Sequence, residues 1–360
     1  TRSEIEDRMT ELKMAGSITN FTTTRKNLPA ALELVFDAMH NSIMPQDEFD
    51  QFKKQMQVMI ESMREKPDAL AQNAITQHFN TYPKGDPRYE YSLDESLEQL
   101  NKLTVDQVRA FYKEFGGTSR GEISIVGDFD PKAVEKIIRD DYAKYVSKAH
   151  YAPVVTEYRP VKATRVVIDT PDKENAIIVA RSVFPINDTA PDAPALTVAN
   201  WILGGGTGLS NRLIERLRQK EGLSYGAGSH VRIPARGDNG SFVFRAIVAP
   251  QNMLQAEASA RDVIAKAIKD GFTDQEVEEA KKGLLQAMQV ARSQDDVVAR
   301  SWNDKMENQR TWVFSKKQAE AISKLTTADV NAALRKYIKP DEITFVLAGD
   351  QKKAAQKKQD

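Results

Sequence analysis

Cysteine is absent from the chain, which removes disulfides, thiolate nucleophiles and cysteine-ligated zinc or iron–sulfur centres. Histidine is scarce. His40, His78, His150 and His230 are the four present, and none has a second His or a Glu at the spacing that sets two zinc ligands on one helix face. Net charge is missing too, with 51 Lys+Arg against 51 Asp+Glu. That balance argues against a nucleic-acid binder working through a strong positive field. No run of 18 apolar residues occurs, so the sequence contains no candidate membrane-spanning helix. No Ser, His and Asp lie in a nucleophile-elbow setting, where a strand must turn sharply into a helix.

What the chain does have is an internal repeat. Leu103-Thr104-Val105-Asp106-Gln107-Val108 returns 222 positions later as Leu325-Thr326-Thr327-Ala328-Asp329-Val330. Ile123-Ser124-Ile125-Val126-Gly127-Asp128 returns as the segment 343–350, ending in the same Gly-Asp pair. Upstream, Pro45 to Phe49 followed by Lys53-Lys54 matches Thr273 to Val277 followed by Lys281-Lys282. Self-similarity over such a span marks a duplicated domain. The second copy holds about 60 residues, roughly 165–222, with no counterpart in the first. The chain is therefore expected to be a piece of a longer protein, with residues 1–150 as the first domain and 151–360 as the second. A length of 360 residues is enough for two such cores.

Hydrophobic periodicity places helices at 1–14, 28–43, 46–65, 67–80, 104–115 and 131–145 in the first copy, with strands at 17–24 and 122–126. Pro45 breaks the second helix from the third. A proline-interrupted stretch, 147–160, reads as the linker. In the second copy, strands fall at 165–170, 176–184, 223–233, 240–249 and 342–348. Helices fall at 194–203, 209–220, 252–270, 274–292 and 327–337, and the polar tail 351–360 reads as frayed. Strands and long helices in mixed order favour an α+β class over a doubly wound parallel sheet.

Two segments carry candidate chemistry. Gly204-Gly205-Gly206-Thr207-Gly208 follows a helix rather than a strand, and no Gly-Lys-Ser/Thr comes after it. It therefore lacks the setting of a phosphate cradle and reads as a helix–helix loop able to line a cleft. The second segment runs from Arg216 to Gly226. Arg218 lies in the last turn of a helix, Gly222 stops that helix, and Tyr225 begins the next strand. The turn folds the strand back, so a guanidinium and a phenol reach one space and can hold a carbonyl oxygen or a carboxylate. An equally good reading has Arg218 only complementing the helix dipole and Tyr225 only packing.

The second segment resembles the pitrilysin/insulinase-type family of zinc peptidases, the inverted zincins. The likeness rests on an Arg followed seven residues later by a Tyr, here Arg218 and Tyr225. Around them stand Leu203-Gly204-Gly205-Gly206, Ser210-Asn211-Arg212-Leu213 and Gly222-Leu223-Ser224-Tyr225-Gly226. The first copy joins through Pro83-x-Gly85-Asp86-Pro87, Leu103-Thr104 and Val126-Gly127-Asp128, so the likeness spans nearly the whole chain. It implies two homologous α+β domains of the mitochondrial-processing-peptidase kind. Each would be a mostly antiparallel sheet with helices on one face, the first lacking its N-terminal strands and helix. The family holds zinc through His-x-x-Glu-His and a Glu on a later helix. The second copy's corresponding helix, 194–203, has neither His nor Glu. In the first copy, Gln55 and Val58 stand about where the third ligand belongs, and Glu61 is out of register.

The resemblance thus implies the non-catalytic, substrate-binding half of a two-half zinc endopeptidase, inactive alone. No cofactor belongs to this chain, and zinc is expected in a catalytic half or partner. Arg218 and Tyr225, with Gly204, Gly205 and Gly206, would contact a peptide substrate near that zinc. Two alternatives remain: a structural or assembly protein of the same fold, and a self-sufficient hydrolase with another site. The expected compartment is the periplasm, with the cytoplasm as the alternative.

Overall fold

The computed structural model describes residues 1–206 and 211–356. Helix α1 (Arg2–Glu11) precedes a hairpin, β1 (Ala15–Ser17) and β2 (Asn20–Thr22), and then come α2 (Leu28–Asn41), α3 (Gln46–Met63), α4 (Pro67–His78), α5 (Leu93–Lys102), α6 (Val105–Phe115) and α7 (Pro131–Asp140). The second half opens with β3 (Arg165–Asp169), β4 (Ala176–Pro185) and α8 (Ala193–Asn200), which widens into a π-helix over Trp201–Gly205. The short α9 (Arg212–Ile214) likewise passes into a π-helix, Glu215–Lys220. Strands β5 (Ser224–Arg232) and β6 (Asn239–Val248) follow, then α10 (Met253–Asp270), α11 (Asp274–Ala291), α12 (Asp295–Glu307), α13 (Trp312–Lys324), α14 (Thr327–Tyr337), β7 (Thr344–Gly349) and α15 (Gln351–Gln356). Of the tail expected to fray, Gln351–Gln356 is helical, because Asp350 caps it by accepting from the Lys352 and Lys353 amides. Residues 357–360 lie outside the described residues.

Contacts divide the chain into two compact units. One comprises residues 1–59, 96–153 and 291–309, and the other residues 60–95, 154–290 and 310–360. A crossing falls at 153/154, near the boundary expected at 150/151. In addition, the second unit includes α4 of the first copy, and the first unit includes α12 of the second.

The second unit is built on a five-stranded sheet of order β3-β7-β4-β6-β5. Only β3 and β7 run parallel, and the remaining neighbours are antiparallel. The α+β class is therefore present, with a mixed sheet. Strand β4 lies at the centre, and its near-unbroken apolar run, Ala-Ile-Ile-Val-Ala, reflects burial on both faces. Ala176, Ile178 and Ala180 point into a core with Phe242, Phe244, Phe345 and Leu347. Residues of α8, α10, α11 and α14 close that core. Alternation sends Ile177 and Val179 to the other face, where they meet Val346, Ala348 and α4's Ala71 and Ile75. The expected several helices thus lie on one face, and α4 adds a cover on the other. Ile177 and Val179 are too apolar to face water, and α4 covers them.

In the first unit, Leu12, Met14, Ala31, Val35 and Tyr142 form the core, and the Tyr142 hydroxyl donates to the Leu32 carbonyl at 2.6 Å. The strand expected at 122–126 is not formed. Its counterpart β7 is paired on both sides by β3 and β4, whereas 122–126 has no ladder partner among the described residues. A lone strand leaves its backbone groups unsatisfied.

The repeat survives as geometry. Helices α3 and α11 both have 18 residues, and α6 and α14 both have 11. Lys53 donates to the Leu103 carbonyl at 2.8 Å, and Lys281 donates to the Leu325 carbonyl at 2.9 Å. Thr104 with Gln107 and Thr326 with Asp329 form equivalent capping boxes. Helices α5, α12 and α13 escaped the sequence reading. Their counterparts pair α5 with α13 and α4 with α12 along the repeat.

Candidate substrate-contact site

The candidate pair straddles one glycine turn. Gly222 takes φ +61°, the left-handed region that glycine enters without steric cost. On either side of it Leu217 and Leu223 are buried in the core, and the Leu223 amide donates to the Leu217 carbonyl at 2.8 Å. That bond ties the helix end to the start of β5. Arg218 follows Leu217 on the exposed side of the π-helix, and Tyr225, two residues past Leu223, is 65% exposed. Among the described residues neither side chain has a hydrogen-bond or ion-pair partner. The charges beside them are committed. Arg216 bonds Glu221, whose carboxylate also accepts from Ser259, and Lys220 pairs with Glu215.

Tyr225 also sits at a break in the strand register. Ser224 lies opposite Val248 and Gly226 opposite Ile247, which leaves Tyr225 as the extra residue of a β-bulge. Such bulges re-aim a side chain. The five residues Gly222-Leu223-Ser224-Tyr225-Gly226 carry the Gly-x-Ser-x-Gly spacing, which the sequence reading missed. Their setting is the reverse of a nucleophile elbow, since a helix leads into a strand. Ser224 is 7% exposed, with its hydroxyl held by backbone groups, so it is no surface nucleophile.

The three glycines have packing reasons of their own. A Cβ on Gly204 would lie 2.5 Å from Ser229 Oγ and 2.7 Å from both the Ser229 amide nitrogen and Leu213 Cδ1. Gly204 is buried, while Gly205 and Gly206 are partly exposed. Ser229 donates to Asn200 Oδ1 at 2.8 Å, so the π-helix is seated against β5. The expected plain α-helix over 194–203 gives way to a wider turn because the glycines let its backbone approach that strand. Thr207, Gly208, Leu209 and Ser210, which belong to the same glycine-rich loop and the helix expected from 209, lie outside the described residues.

Among the described residues no three His, Cys, Asp or Glu side chains cluster as metal ligands. Helix α8, where a zinc motif would stand, presents Ala, Pro, Leu, Thr, Val and Asn, nearly all buried. This donor set does not fit zinc. His40 stacks on Phe36 and meets the edge of Tyr145, and His78 shares a hydrogen bond with the Lys162 carbonyl. The clefts lined by Gln99, Leu103 and Phe111 and by Tyr158, Lys162 and Glu342 contain neither Arg218 nor Tyr225. No helix among the described residues is long and apolar enough to cross a membrane.

Comparison with known proteins places residues 102–284 under the family model described as the peptidase M16 inactive domain. An uncharacterized zinc protease of Mycobacterium tuberculosis is 23% identical over 297 residues, 79% of this chain and 66% of the relative. A non-peptidase homolog from Helicobacter pylori is 21% identical over 259 residues, 71% of this chain and 58% of the relative. The chain thus spans less than two thirds of these relatives. A crystal structure of a peptidase M16 inactive domain from Pseudomonas fluorescens superposes with a TM-score of 0.81 at 21% identity, covering 96% of this chain and 83% of that one.

Proposed function

The chain belongs to the peptidase M16 family by its inactive domain, and from that premise we propose that it is the non-catalytic, substrate-binding half of a zinc endopeptidase. The observation that carries the reading is the pair Arg218 and Tyr225. Both are exposed beside one glycine turn and, among the described residues, neither has a partner. A guanidinium and a phenol left free in this way are two donors ready for a peptide carbonyl or a developing oxyanion. Gly205 and Gly206, partly exposed at the end of the π-helix, would line the surface that receives the same substrate. Gly204 shapes that backbone from beneath. The partner would be a catalytic half whose His-x-x-Glu-His side chains would hold zinc and so supply Lewis-acid chemistry at the scissile bond. The periplasm is the proposed compartment, in keeping with a cysteine-free chain, and cell fractionation tests it.

The test is reconstitution. The chain alone binds no stoichiometric zinc and cleaves no peptide, and adding the zinc half gives activity. In that assembly Arg218→Ala lowers turnover by about two orders of magnitude, as for one lost oxyanion donor. Unchanged turnover removes the role, and stoichiometric zinc in the isolated chain would restore the self-sufficient hydrolase. The non-peptidase naming of the Helicobacter pylori relative favours a second reading, a structural or assembly subunit. Under it both side chains are dispensable and a stable partner interface is the only phenotype.

A further inference from the structure

The substrate-contact reading leaves open what holds Tyr225, and the geometry points to Ser224: we infer that its buried hydroxyl is the positioning group that fixes the bulge and holds the Tyr225 phenol in its exposed orientation. This inference rests on the reading of Tyr225 as a peptide contact and adds a residue to that site.

The bulge is required by the register. Ser224 faces the same side of the sheet as Val248, which lies in the main core. With strict alternation, residues 226, 228 and 230 would share that side, and Ala227 and Val231 would turn away from it. Instead Ala227 lies opposite Ala246 and Val231 opposite Phe242, and both pack on the main core. One extra residue between 224 and 226 is what resets the parity, because a slip of one residue moves every following side chain to the other face. Tyr225 is that residue.

An extra residue interrupts the ladder, and the interrupted backbone groups need substitutes. Ser224 supplies them. Its hydroxyl donates to the Ile247 carbonyl at 3.1 Å and accepts from the Gly226 amide at 3.0 Å. One side chain thus spans the bulge from both ends, leaving Tyr225 between two fixed residues. At 7% exposure the Ser224 hydroxyl has little access to competing water. Alanine there leaves the Gly226 amide without this acceptor and the Ile247 carbonyl without this donor, so the residue between them is free to rotate.

The experiment uses the full chain carrying 3-fluorotyrosine at position 225, followed by fluorine NMR, with amide exchange at Gly226 and binding of a fluorescein-labelled unstructured casein peptide. Ser224→Ala is expected to shift and broaden the 225 resonance, speed Gly226 exchange by at least about tenfold, and weaken peptide binding about tenfold. Ser224→Thr, which keeps the hydroxyl, restores all three. In a Tyr225→Phe background the same Ser224→Ala change brings no further loss of binding. An unaltered 225 resonance with unaltered Gly226 exchange in Ser224→Ala overturns the inference. So does an equal loss of binding in the Tyr225→Phe background, which would mark Ser224 as merely structural. If Tyr225→Phe and Arg218→Ala both bind the peptide like the native chain while Ser224→Ala still shifts the resonance, the peptide reading falls and the positioning role stands.

Discussion

Gly204 and Glu95 illustrate how single residues here answer to neighbours rather than to their own type. Gly204→Ala introduces a Cβ within 2.7 Å of the Ser229 backbone nitrogen, which a rotamer change cannot relieve. The expected loss is about 1–3 kcal/mol, as for overpacking, read as a shift in the urea midpoint. Glu95 accepts from Lys84, the Ser92 amide and the Tyr89 phenol, and its carboxyl is held down to about 2, chiefly by Lys84. Asp86 is likewise held at about 2, chiefly by Arg88. Ordinary values are about 4.3 and 3.9. A folded value below the unfolded one gives stability that is complete above the unfolded value and lost as pH falls through the folded one. The loop 80–95 should therefore keep its amide protection at pH 5 and lose it progressively from about 4.5 to about 2. Glu95→Gln should show the weaker protection already at neutral pH, and equal protection in both proteins at pH 6 would refute the linkage.

At the scale of elements, the repeat makes a controlled comparison. Val108, Phe111, Tyr112 and Phe115 of α6 correspond to Val330, Ala333, Leu334 and Tyr337 of α14. The α14 set is buried against the main core, with Leu334 fully so, whereas Phe111, Tyr112 and Phe115 are exposed. The same helical stripe is legible in both sequences, yet only one has a covering layer among the described residues. Leu334→Ala should cost about 2–5 kcal/mol, and Tyr112→Ala should stay within about 0.5 kcal/mol. Matching losses in the two variants, measured by chemical denaturation, would show that the stripes are equally packed. The strand expected at 122–126 failed for a related reason. Its apolar composition is that of a strand, but strand formation depends on neighbours that composition does not supply.

For the whole molecule, the interleaving of units matters most. The sheet of the second unit needs α4, which lies ahead of the linker, to cover Ile177, Val179, Val346 and Ala348. A fragment of residues 151–360 should expose that face, bind a hydrophobic dye and melt less cooperatively than the full chain. Adding a peptide of residues 60–95 should reduce the dye binding. A fragment that melts as sharply as the full chain would show the sheet to be stable with one covered face.

The sequence by itself determined the duplication, the glycine stop at 222, the helix stripes and the lack of zinc-ligand chemistry on the helix at 194–203. These depend on residue identity and local period, which a chain carries wherever it is placed. Tertiary structure alone decided that α8 and α9 widen into π-helices, that Tyr225 is the bulged residue, and that α4 lies on the sheet of the second unit. Each follows from contacts distant in sequence: Ser229 against Gly204, Ile247 against Ser224, Ile177 against Ile75. The pair Arg218 and Tyr225 lies between the two cases. Its residues and turn could be read directly, whereas the place of the tyrosine in a β-bulge arises only when β6 sets the register of β5.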